Sequence, residues 1–210
     1  MITDPKVFLN DTTWKDVIIN GSTFKAKPYL YNLKIVFNSY ILNEFIPTVK
    51  RILPNITIGH YSIMLTHAHV EGFFPGSRSY DNNNPGNIGN TDSGANKKFA
   101  TLEDGIMALY KFIQEVSEGK RPKSFPMGKV ITLAPYYSKE IARNVIKYQK
   151  SPWVPGYIYT FTGQLDQYIK IYATSPRSSN NYINSFLTIC KKNGIMITPE
   201  TKIQDIIKLT

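Results

Sequence analysis

The chain runs to 210 residues with a hydrophobic share of 42%, which suits one domain with a sizeable extension and excludes wholesale disorder. Its formal net charge of +10, from 25 Lys and Arg against 15 Asp and Glu, favours polyanionic surroundings such as nucleic acid or an acidic cell-wall polymer. The basic residues are dispersed, with Lys97-Lys98, Lys120-Arg121 and Lys191-Lys192 only doublets, so nucleic-acid binding is not expected.

Met1 to Lys6 is polar and holds Asp4 and Pro5, so no signal peptide is expected. No apolar run reaches the roughly eighteen residues of a membrane span, so no membrane insertion is expected either. VFLNDTTWKDVIINGSTFKAK combines β-forming residues with Asn20-Gly21, the pair that favours a tight hairpin. From Leu30 to Leu53 the spacing turns helical, with Val36, Tyr40, Phe45, Ile46, Val49 and Ile52 on one face. Pro47 should kink or restart that helix. Residues 1–57 hold no catalytic constellation and read as an N-terminal extension of mixed strand and helix, for packing or attachment.

His60 to Val70 is an apolar helix, with Gly72 suited to the left-handed C-terminal position. Phe73 to Lys98 is rich in Asn, Gly, Asp and Ser, and a loop of that length is functional or disordered. Thr101 and Asp104 form a capping box ahead of Ile106, Leu109, Tyr110 and Ile113, an amphipathic helix. A Pro-punctuated connector follows Gly119, then a helix expected over Ser138 to Gln149 and the aromatic loop SPWVPGYIYTFTG. Further helices are expected from Gln164 to Ala173 and from Ser179 or Asn180, the latter with Tyr182, Phe186, Ile189 and Cys190 inward. A short one from Thr198 to Leu209 ends the chain. Cys190 is the single cysteine, which excludes an intramolecular disulfide and a cysteine-based zinc site; it reads as a small buried hydrophobe. The fold class is mainly α (α+β).

Chemistry concentrates in VEGFFPGSRSYDNNNPGNI, Val70 to Ile88. Glu71 is flanked by apolar residues at a helix end, and desolvation there raises a carboxyl pKa. A raised pKa keeps the acid protonated near neutral pH, as protonation of a glycosidic leaving group requires. The plain alternative is a Glu simply exposed at a helix end. Asp81 is either the partner carboxylate of a two-acid glycosidase or an ordinary turn residue before an Asn run. Asn82, Asn83, Asn84 and Asn87 suit sugar hydroxyls and N-acetyl groups, or else satisfy the loop's own backbone. His69-Val70-Glu71 matches half of a zinc deaminase signature, but one cysteine cannot supply the P-C-x-x-C half. No metal is expected, and His67 reads as helix packing. With no P-loop, G-x-G-x-x-G or G-x-S-x-G present, no cofactor is expected.

Three blocks, EGFFPGSRSYDNNNPGNI, FATLEDGIMALYKFI and YATSPRSSNNYINSFLTICKKNGI with TPETKI, together resemble phage and prophage lysozyme-like proteins. These are peptidoglycan-cleaving virion muramidases or lytic transglycosylases. The resemblance covers about residues 60–210 and implies a two-lobed lysozyme-like domain with a cleft over 58–210. By it Glu71 is the general acid at the MurNAc–GlcNAc bond, and Asn84 to Asn87 shape the cleft floor. Tyr80, Asn82, Asn84, Asn87 and Phe99 become candidate substrate contacts, and Tyr182 matches a packing position. The family commonly has a basic residue where this chain has Asp81, which favours the turn reading there. Residues 120–165 form an insertion whose Tyr136, Tyr137, Trp153, Tyr157 and Tyr159 can wall the cleft, with Tyr137 a candidate sugar contact. Residues 1–57 have no counterpart, which fits a virion anchor contacting other virion proteins. The expected setting is a phage virion, or host cytoplasm before release, with bacterial peptidoglycan as the partner. The alternative is a structural virion protein that retains such a domain without activity.

Overall fold

The computed structural model describes residues 15–19, 22–26, 33–89, 97–132, 136–137, 153–154, 158–173 and 176–210. It is mainly helical, with three short antiparallel strand pairs. β1 (Lys15–Ile19) pairs with β2 (Ser22–Ala26) in a register that sets Ile19 opposite Ser22, while the Asn20-Gly21 pair expected at the hairpin lies outside the described residues. The expected helix of Ser138 to Gln149 lies outside the described residues.

The first helical run starts only at Ser39, where the Asn38 Oδ1 accepts from the Ile41 N–H at 2.9 Å. Val36 was expected on its buried face but precedes the helix and is 70% exposed. A π-helical turn, Ile41–Phe45, leads into α1 (Ile46–Ile52), with Pro47 in its first turn. Proline lacks the N–H that the regular ladder needs, and a helix restarting there tolerates it. The residues that reach the core are Ile41, Phe45 and Val49, one every four positions, and all three are fully buried. They share one apolar cluster with the rest of the molecule, so residues 33–57 are packed onto it.

α2 (Ile58–Val70) is the central element. Thr57 caps it by accepting from the His60 N–H at 3.2 Å. Every residue from Gly59 to Ala68 except Tyr61 is buried, and a helix apolar nearly all round belongs inside. Ser62 and Thr66 manage burial by donating to the carbonyls four residues back, each at 2.8 Å.

A one-turn helix, α3 (Arg78–Asp81), capped by Ser77, lies within the long Asn-rich segment. α4 (Leu102–Ser117) opens with the capping box of Thr101 and Asp104 complete, and buries Ile106, Leu109, Phe112, Ile113 and Val116. Further along the chain, β3 (Val130–Thr132) pairs with β6 (Ile158–Thr160), and β4 (Tyr136–Tyr137) pairs with β5 (Trp153–Val154).

α5 (Leu165–Tyr172) precedes α6 (Pro176–Lys192), which begins before the expected Ser179 because Pro176 suits a first helical position. Cys190 is buried on α6. The terminal helix α7 covers only Ile203–Ile206. Residues expected in its first turns instead serve α5, whose Leu165 and Asp166 N–H groups donate to the carbonyls of Thr201 and Pro199, each at 2.9 Å. Among the described residues no helix is long and apolar enough to cross a membrane.

Candidate functional site

The carboxyl end of α2 stops in a well-defined way. The Phe73 N–H donates to the Ala68 carbonyl at 3.1 Å and the Gly72 N–H to the His69 carbonyl at 3.3 Å. This double closure needs a left-handed residue, and Gly72 supplies it at φ +67°. The buried Ser79 Oγ lies 3.2 Å from each of the Glu71 and Gly72 carbonyls, so it holds the helix end from below. Glu71 is thereby fixed as the half-buried residue that caps the carboxyl end of the helix, just after Val70.

Its carboxyl has two side-chain donors. The Asn87 Nδ2 donates to Oε2 at 2.9 Å, and the Tyr182 hydroxyl donates to Oε1. Asn87 reaches it from a left-handed backbone, φ +52°, which asparagine tolerates better than most residues. Burial pushes the Glu71 pKa above the usual carboxylate range, against the opposing pull of Tyr182, Asn87 and the Arg78 charge. The negative end of the α2 dipole acts in the same direction as burial. The group is therefore an acid held in place, protonated further up the pH scale than a free one.

The asparagines divide. Asn84 is fully buried: its Oδ1 accepts from the Ile88 N–H at 3.0 Å and its Nδ2 donates to the Ile88 and Lys97 carbonyls at 3.0 and 3.1 Å. With no surface left to present, it is corrected from sugar contact to loop scaffold. Asn83 donates to the Phe99 and Ala100 carbonyls, and Asn82 accepts from the Phe99 N–H at 2.9 Å through its main chain. α4 presses directly on this loop. A Cβ at Gly105 would stand 1.7 Å from the Asn83 carbonyl oxygen, and one at Gly86 would stand 2.5 Å from Leu109.

Asp81 is exposed and accepts from the Gly76 N–H at 3.0 Å, closing a turn within its own loop. Tyr80 turns toward the N-terminal segment, where its hydroxyl donates to both Glu44 oxygens at 3.2 and 3.0 Å. Its half-exposed ring packs on Tyr40 and Phe73, so it braces the loop against that segment. The half-buried Phe99 ring lies under the Lys97 ammonium, 5.0 Å away. Tyr137 pairs through its backbone with Trp153, and its side chain lies outside the described residues.

Tyr182 packs as expected, but its hydroxyl on Glu71 had no signal in the sequence beyond the general need of a buried tyrosine for a polar partner. Tyr172 on α5 had no signal in the sequence either: its hydroxyl donates to the Gly86 carbonyl, and its ring meets that of Tyr182 edge-on. Below them His67 is fully buried among Tyr168, Tyr172, Tyr182 and Phe186, with Nε2 2.8 Å from the Tyr168 hydroxyl. Burial lowers its pKa to about 3, so it stays neutral and packs. His69 meets Phe37 edge-on instead. Among the described residues no three His, Cys, Asp or Glu gather as a metal site.

A shallow cavity of about 230 Å³ lies elsewhere, lined by Ser117, Met127, Gly163 and Lys202 among others, and shares no residue with the Glu71 cluster. No protein-family model matches the chain, and no curated protein or solved structure matches it either.

Proposed function

We propose that this protein cleaves the glycan strands of bacterial peptidoglycan at the MurNAc–GlcNAc β-1,4 bond, with Glu71 as general acid in a lysozyme-like, two-lobed domain. The observation that carries the reading is the half-buried Glu71 carboxyl, fixed by Tyr182 and Asn87 and raised in pKa by burial. In the reaction the Glu71 proton passes to the bridging oxygen as the C1–O bond breaks and positive charge develops on the muramic ring. A nucleophile then closes C1, and the carboxylate takes a proton back.

With Asp81 closing its own turn, the mechanism that suits the site uses one acid, and the muramic acid's own C6 hydroxyl serves as nucleophile. The product is an anhydro ring. A muramidase would instead add water and leave a reducing end. The N-terminal residues and the resemblance to phage proteins favour a virion-associated or lysis role, with residues 1–57 as the contact to other virion proteins.

Glu71→Gln should abolish cell-wall clearing on a zymogram while the fold is retained, and mass spectrometry of the fragments separates anhydro from reducing ends. Clearing that survives the substitution would sink the proposal. If the wild type clears nothing while folded, the non-enzymatic virion role takes its place.

A further inference from the structure

The exposed large hydrophobic side chains among the described residues are aliphatic or methionine, with Phe74 the exception. Isolated apolar residues are ordinary on a protein surface. Phe74 is set apart by its place and by how firmly it is held.

It follows Gly72 and the buried Phe73 at the turn that ends α2, three positions after Glu71. A Cβ at Gly72 would stand 3.1 Å from the Phe74 Cε1, 3.7 Å from its Cδ1 and 4.0 Å from its Cζ. The ring therefore meets the backbone beside the acid along one edge. With 47% of the residue exposed, it keeps surface for a ligand.

The turn beneath the ring is pinned. The Phe74 N–H donates to the Ser77 Oγ at 3.3 Å, and the Ser77 N–H donates back to the Phe74 carbonyl at 3.0 Å. Between them the Gly76 N–H donates to Asp81 at 3.0 Å, and Pro75 fixes its own φ. The Phe73 ring packs on Phe45 and Tyr80, which ties the turn to the core. An aromatic side chain on so fixed a turn has little freedom to lose on binding, so its contact energy is kept.

Building on the reading of Glu71 as the acid of a glycosidase, we propose that Phe74 is a glycan-binding residue, the platform on which a sugar ring adjoining the cleaved bond stacks. A hexose presents C–H groups on its faces and hydroxyls around its rim. An aromatic ring takes the face and leaves the hydroxyls to polar groups. Asp81 then has a task as well, that of closing the turn which presents the ring.

Stacking of this kind does not depend on charge. The net charge of +10 attracts an acidic glycan anywhere on the surface, and salt screens that attraction. Salt therefore separates the two contributions.

The test is a calorimetric titration of the full chain carrying Glu71→Gln, so that no strand is cut. The titrant is soluble, peptide-free strands of alternating GlcNAc and MurNAc, at low and at high salt. Phe74→Ala in that background should weaken binding by roughly two- to tenfold at both salt levels. Phe74→Tyr should bind as the parent does, and Phe74→Leu as weakly as the alanine variant. Unchanged affinity in Phe74→Ala, a loss that vanishes at high salt, or a leucine variant as tight as the parent overturns the proposal. So does a parent that binds no glycan. Should Phe74→Ala fail to fold, the leucine and tyrosine variants decide by the same criteria. Glycan binding without wall clearing by the wild type would remove the glycosidase reading and leave Phe74 as a glycan contact, so the two failures are told apart.

Discussion

The two ends of α2 bury the same kinds of group and do different things with them. At the amino end His60 stacks on Tyr110 with ring centroids 4.2 Å apart, and burial lowers its pKa to about 4. Thr57 caps that end and also donates to the Ile207 carbonyl at 2.6 Å. At the carboxyl end burial raises the Glu71 pKa, but the residue keeps some exposure and is oriented by two side chains from distant parts of the chain. Burial alone makes a silent residue. Burial with retained access and convergent donors makes a candidate acid.

The largest expected effect sits at the carboxyl end. Glu71→Gln should lower the cleavage rate about a thousandfold or more, beyond the usual contribution of a general acid because this site has one. Circular dichroism should show the same helix content, and a residual rate within tenfold of wild type would break the distinction between the two ends.

A matched pair of glycines sharpens it next. A Cβ at Gly59 would stand 1.8 Å from the Ile206 carbonyl oxygen, and one at Gly105 would stand 1.7 Å from that of Asn83. Both alanine variants should lose about 2–4 kcal/mol in urea unfolding, as overpacking against backbone does. Gly59→Ala should keep its activity per folded molecule. Gly105→Ala should not, because the loop it displaces carries Asn87.

pH separates the ends by sign. His60 and His67 are held neutral in the fold and protonate near 6.5 when unfolded, so their stabilisation is complete above about pH 6.5 and falls away toward about 4 and about 3. Each should contribute a slope of about 1.4 kcal/mol per pH unit in that window. Glu71 has the opposite sign: with its folded pKa raised, it contributes stability in acid that is lost as pH rises from 4.5. Unfolding free energies measured from pH 7 to 4.5 should fall overall, with a shallower slope in His60→Phe and a steeper one in Glu71→Gln.

The smallest effect belongs to Asp81. Asp81→Asn still offers an oxygen to the Gly76 N–H and should change the cleavage rate less than about threefold. A tenfold loss would restore a two-carboxylate mechanism.

Local features were legible in the sequence. The glycine that ends α2, the capping box of Thr101 and Asp104, and Glu71 at a helix terminus all follow from residues a few positions apart. What was not legible came from afar. Nothing in the Asn run tells Asn84, which turns inward, from Asn87, which meets the acid. Tyr182 lies 111 positions beyond Glu71 and Tyr172 lies 86 beyond Gly86. The bond from the Tyr80 hydroxyl to Glu44, 36 positions earlier in a segment read as a separate extension, was equally out of reach.

The inward turn of Asn83 and Asn84 has a thermodynamic side. By bonding the carbonyls of Ile88, Lys97, Phe99 and Ala100, they hold residues 83–88 and 97–100 in one arrangement before any ligand binds. Ordering a backbone costs about 1–2 kcal/mol per residue, and here that cost falls on folding. On the proposed reading, a sugar chain that docks against these preorganised residues can put its contact energy into affinity and orientation instead of into fixing the receptor.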